Sequence, residues 1–91
     1  MNVRKMKLAV AVGLLNNPSV NALVTIKEAM RQFTTEVGRF LGFSLTKEYP
    51  LDANKINRSY SLMFENCAIE LDLVSSQQHS SQIVRDFRLS Q

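Results

Sequence analysis

Between Leu23 and Phe40 the large apolar residues stand at Leu23, Ile26, Met30, Phe33, Val37 and Phe40, with gaps of 3-4-3-4-3. That is a heptad seam sustained over about five turns of helix. Lys27, Glu28, Arg31, Gln32, Thr34, Thr35, Glu36 and Arg39 fill the polar side. No other pattern constrains the chain as much, because such a stripe must be buried against a second layer or a partner. If a partner covers it, Met30, Phe33, Val37 and Phe40 are the contact residues to expect. Gly42 is placed to stop the helix after Phe40 and Leu41, and Ser19 in Asn16-Asn17-Pro18-Ser19 to cap its start.

Beyond Gly42 the period changes from helix to strand. Phe43, Leu45, Lys47 and Tyr49 fall on one side, and Ser44, Thr46 and Glu48 on the other, until Pro50. A turn at Glu65-Asn66 then folds Tyr60–Phe64 back on Cys67–Leu71. In that register Phe64 faces Cys67, Leu62 faces Ile69 and Tyr60 faces Leu71, all apolar. The other face pairs Met63 with Ala68 and Ser61 with Glu70. A helical alternative exists, since Tyr60, Phe64, Cys67, Leu71 and Val74 also keep heptad spacing, but it strands Leu62, Ile69 and Leu73.

Near the N-terminus, Leu8, Val10, Val12 and Leu14 alternate with Lys7, Ala9, Ala11 and Gly13, which predicts a strand. Ser75 to Ser81 is a polar linker, and Ile83, Val84 and Phe87 predict a short closing helix. The expected fold is α+β. A small antiparallel sheet of about four strands packs against one long amphipathic helix, with a short C-terminal helix. The alternative is an all-α helical bundle.

The 91 residues suffice for a single domain, 1–91. A chain this short buries roughly 60–65 % of its unfolded surface, so a homodimer is expected to supplement the core. Cys67 stands alone, which excludes an internal disulfide and fits a reducing, cytoplasmic setting. The longest apolar run, Leu8 to Leu15, is far below the ~20 residues of a spanning helix, so no membrane partner is expected. Arg4, Lys5 and Lys7 before that run, with Val20-Asn21-Ala22 after it, also trace the outline of a secretory signal.

Catalytic and metal chemistry finds no cluster. His79 is the single histidine, with no second His or Cys at ligand spacing for zinc. Cys67 and His79 could meet as a nucleophile pair only through the fold, and a buried Cys is the simpler role. Glu70 and Asp72 share one strand face as solvated carboxylates. Gly13, Gly38 and Gly42 make no phosphate loop. No enzyme activity and no cofactor are expected.

The net charge of +3 is carried by scattered cations, among which Arg4, Lys5, Lys7, Lys27, Arg31, Lys55 and Arg58 are the candidates for nucleic-acid contact. Thr34–Ser44, TTEVGRFLGFS, resembles the first helix and turn of a helix-turn-helix DNA-binding unit through Val37, Gly38, Leu41, Gly42 and Phe43. That resemblance implies a recognition helix starting near Ser44 or Leu45, where Pro50 would interrupt it, or displaced to Asn54–Leu62. The expected function is therefore a small regulatory or adaptor protein acting by protein–protein docking, as a homodimer. Its surfaces would be the long helix or a sheet edge able to add a partner strand. The alternative is a DNA-binding transcriptional regulator with a divergent helix-turn-helix.

Overall fold

The computed structural model describes residues 2–16, 21–76 and 82–90. Its fold is mixed α+β. Helices α1 (Val3–Asn16) and α2 (Ala22–Met30) are followed by a 3-10 turn (Arg31–Phe33) and a short α3 (Thr34–Val37). Strands β1 (Phe40–Pro50), β2 (Lys55–Phe64), β3 (Ala68–Ser76) and β4 (Gln82–Ser90) then form one antiparallel sheet in the order β1-β2-β3-β4. Met6 and Val10 of α1 and Ile26 and Met30 of α2 meet Leu62, Ile69, Leu71 and Leu73 of the sheet in the core.

The segment predicted as an N-terminal strand is α1. Asn2 caps it by accepting the Lys5 backbone N–H at 3.0 Å. Ala and Leu favour a helix there, and the period-2 alternation is two helical rows superposed. Met6 and Val10 face inward, while Leu8, Val12 and Leu15 face out. Close approach of α1 and α2 depends on Gly13, where an added Cβ would lie 3.2 Å from the Thr25 Cγ2. Asn21 caps α2, its side chain accepting the Leu23 N–H at 2.8 Å; Ser19 lies outside the described residues.

The single long helix is also corrected. Its stripe is right about burial and wrong about conformation beyond Met30. Ile26, Met30 and Val37 are buried, and Leu23, Phe33 and Phe40 pack against them partly covered. The backbone, however, tightens at Arg31–Phe33 and stops at Gly38 rather than Gly42. Gly38 has φ 79, a left-handed value that only glycine adopts without strain. The turn between β2 and β3 grips this junction from outside. Glu65 N–H donates to the Arg39 carbonyl at 3.0 Å and Asn66 N–H to the Val37 carbonyl at 2.9 Å. In return Arg39 N–H donates to Glu65 Oε1 at 2.7 Å, and Asn66 Nδ2 donates to the Glu36 carbonyl at 2.9 Å. Four hydrogen bonds from distant sequence thus fix where the helix ends.

The β2–β3 hairpin forms in the expected register, with Tyr60 opposite Leu71, Ser61 opposite Glu70, Leu62 opposite Ile69 and Met63 opposite Ala68. Phe64 N–H closes the turn on the Cys67 carbonyl at 2.9 Å. With β2 and β3 extended, the all-α alternative does not hold. Gln82–Leu89, predicted as a closing helix, is strand β4. A register shift opposite Asp72 and Leu73 leaves Arg85 as an extra residue. The core-facing positions therefore become Val84, Phe87 and Leu89, and the inserted residue gives the first pair a helix-like spacing. Arg85 Nη1 reaches across β3 to donate to the buried Asn57 Oδ1 at 3.2 Å.

No described helix is long and apolar enough to cross a membrane.

Candidate functional site

β1 is an edge strand whose one neighbour among the described residues is β2. Two register shifts, between Phe40 and Gly42 and between Leu45 and Lys47, decide which way its side chains point. Phe40, Phe43 and Leu45 stand opposite Phe64, Leu62 and Tyr60, on the face that the helices cover elsewhere. The second shift sends Lys47 and Tyr49 to the opposite face, so the expected one-sided row of Phe43, Leu45, Lys47 and Tyr49 is split. The helices reach this side of the sheet only at Phe40, which lies under Lys27 and packs against the core. Phe43 is 56 % and Leu45 49 % exposed, and Leu41, at the first shift, is 59 % exposed.

Polar contacts brace the same strand from β2. Arg58 Nε donates to Glu48 Oε2 at 2.6 Å, and this carboxylate raises the guanidinium pKa further. Thr46 Oγ1 donates to the Ser59 carbonyl at 3.1 Å. The Phe43 ring meets Tyr60 edge-on with centroids 6.1 Å apart, and the Lys47 ammonium sits 5.5 Å from the centre of the Tyr49 ring. The result is an edge strand braced from β2, with an apolar row beside it and no second strand paired to it among the described residues. Long apolar edges of this kind are templates for another strand.

The residues expected to bind a partner are distributed differently. Met30 and Val37 are each 1 % exposed and belong to the molecule's own core. Phe40 packs on Phe64 at 5.3 Å under the Lys27 ammonium, and Phe33 lines the groove between α1 and α2. Of the candidate nucleic-acid residues, Arg4, Lys5 and Lys7 lie on α1, and Lys27 and Arg31 lie on α2 and the turn after it. Lys55 and Arg58 sit apart on β2, and Arg58 is committed to Glu48. The segment Thr34–Ser44 does not form a helix-turn-helix: α3 ends at Val37, Ser44 and Leu45 lie in strand β1, and the displaced recognition segment falls on β2 from Lys55.

Cys67 is buried, and burial pushes its thiol pKa up, away from the nucleophilic thiolate. His79 lies outside the described residues. Ser61 Oγ donates to Glu70 Oε1 at 3.3 Å and Ser59 Oγ to Asp72 Oδ1, so hydroxyls partner both carboxylates. Among the described residues no three His, Cys, Asp or Glu side chains are grouped to hold a metal ion.

The exposure of β1 had no signal in sequence. Its alternation shows that it is a strand, while its place at an edge depends on how far the helices extend over the sheet. No protein-family model, curated protein or solved structure matches this chain.

Proposed function

We propose that the chain is a non-enzymatic docking module that forms a homodimer by pairing β1 with β1 of a second copy. One observation carries this reading: an 11-residue edge strand, paired on one side only among the described residues, with an apolar row that its own helices leave exposed. The row is self-complementary. A two-fold axis at Ser44 sets Phe43 of one copy opposite Leu45 of the other, twice, with all four side chains on one face. The pairing joins two four-stranded sheets into one continuous sheet and removes the free edge. A foreign extended strand could use the same backbone groups, which makes the edge an adaptor surface in the wider sense.

Sedimentation velocity over a range of concentrations tests the proposal. The wild type is expected to shift from monomer to dimer as concentration rises. Phe43→Lys with Leu45→Lys, a charge device that native edge strands use against pairing, should remain monomeric with an unchanged circular dichroism spectrum. A wild type that stays monomeric throughout, or a double variant that still dimerises, would overturn it.

A further inference from the structure

A second uncovered surface lies on the far side of the molecule, where α1 and α2 face away from the sheet. Leu8, Val12 and Leu15 follow one another at helical spacing on α1 and are 64 %, 45 % and 79 % exposed; Val24 of α2 is 50 % exposed. Leu8, Ala9, Val12, Val24, Ala29 and Phe33 line the open groove of about 700 Å³ between the two helices. This surface is apolar over its middle and basic towards the start of α1. From α1 through the 3-10 turn there are five cations, Arg4, Lys5, Lys7, Lys27 and Arg31, against one carboxylate, Glu28. The remainder of the chain has six cations against seven carboxylates, so the whole positive excess lies on the helical layer.

We infer that this helical face docks on an anionic phospholipid surface, lying in the plane of the headgroups rather than crossing the bilayer. The charge selects among possible occupants. A second copy would leave the Arg4, Lys5 and Lys7 cluster without anionic partners, and like charges brought together oppose pairing. A nucleic-acid backbone would satisfy the cations but leave the leucine and valine row without apolar cover. A bilayer surface meets both demands: anionic headgroups take Arg4, Lys5 and Lys7, while Leu8, Val12 and Leu15 enter the acyl boundary. The exposed leucines project from the helix instead of lining a deep pocket, the form that shallow insertion requires. Lys27 lies over the Phe40 ring and Arg31 is held 3.6 Å from Glu28, which leaves the α1 cations as the contributors. The β1 edge plays no part in this contact.

The test is co-sedimentation of the full chain with vesicles of phosphatidylcholine alone, or of phosphatidylcholine mixed with phosphatidylglycerol, at low and high salt. Wild type is expected to partition onto the mixed vesicles, weakly onto the neutral ones, and less as salt rises. Leu8→Ser with Leu15→Ser should lower the partition coefficient about tenfold or more, as the apolar area no longer inserts. Lys5→Glu with Lys7→Glu should lower it by a similar factor and flatten the salt dependence. All four positions are exposed, so circular dichroism should show native folding in both variants. Absence of binding to either vesicle would overturn the inference, as would binding that ignores the leucine substitutions. Self-association lost in the Leu8 and Leu15 variant would assign the face to a second copy instead. Duplex DNA binding that survives in that variant, without vesicle binding, would assign the cations to nucleic acid.

Discussion

The two edges of the sheet are built from similar residues and end in different environments. On β4, Val84, Phe87 and Leu89 turn toward the helices and pack against the core, as does Leu14 of α1. On β1, Phe43 and Leu45 occupy the matching face and stay about half exposed, at 56 % and 49 %. The helix pair sits over β4 and the central strands and reaches β1 only at Phe40. Two helices packed about 8–10 Å apart match the width of four strands about 4.8 Å apart, so the exposed edge follows from where the pair sits on the sheet. Among the described residues both end strands are paired on one side only, but the inner face of β4 is covered by the helices and that of β1 is half exposed.

The strongest disturbance is expected between the two edges. Leu71 is fully buried at the middle of β3, and Leu71→Ala should cost about 2–5 kcal/mol in urea unfolding, by lost transfer and a residual cavity. An effect near zero would mean that the central layer is not the shared foundation of both edges. Gly38→Ala comes next. Its φ of 79 excludes an ordinary side chain, and an added Cβ would stand 2.6 Å from the Glu65 Cβ. A loss of about 1–3 kcal/mol is expected on the same assay, with weakened docking of the β2–β3 turn.

The edges themselves are compared by Phe87→Ala and Phe43→Ala, measured at concentrations where the protein is monomeric. The β4 change should destabilise by about 1–2 kcal/mol, and the β1 change should stay within about 0.5 kcal/mol. Equal effects would show that the helices cover both edges alike.

The smallest expected effect concerns pH. The Arg39 N–H bonded to Glu65, with the Arg39 charge, holds that carboxyl below its usual range, while partial desolvation opposes the shift. A depressed carboxylate pKa stabilises the fold at pH values above the unfolded-state pKa. That contribution disappears as pH falls through the lower, folded-state pKa. The stability difference between wild type and Glu65→Gln should accordingly be present at neutral pH and close under acid conditions. A gap independent of pH would show that Glu65 acts through shape alone.

What the sequence disclosed follows how local each determinant is. The β2–β3 hairpin was legible residue by residue because its pairing rests on neighbours across one short turn, Glu65-Asn66. The 3-4 stripe disclosed which residues enter the core, from Leu23 to Phe40, but not the helix end. That end is set by Glu65 and Asn66, more than 25 residues away, bonded to the backbone at Glu36, Val37 and Arg39. β4 was hidden because one bulge residue, Arg85, turned strand periodicity into an apparent helical one. α1 was hidden because its inner and outer rows are both apolar, and that same outer row forms the proposed lipid-docking face. The exposed β1 edge was the least legible, since Phe43 and Leu45 look like ordinary core positions until the reach of the helices is known.

Amide hydrogen exchange of the wild type at low and high protein concentration tests the central claim most directly. β1 amides that point away from β2 should exchange quickly when dilute and gain protection as concentration rises, while those of β4 do not change. Protection that is independent of concentration, or that grows on β4 instead, would contradict the assignment of β1 as the docking edge.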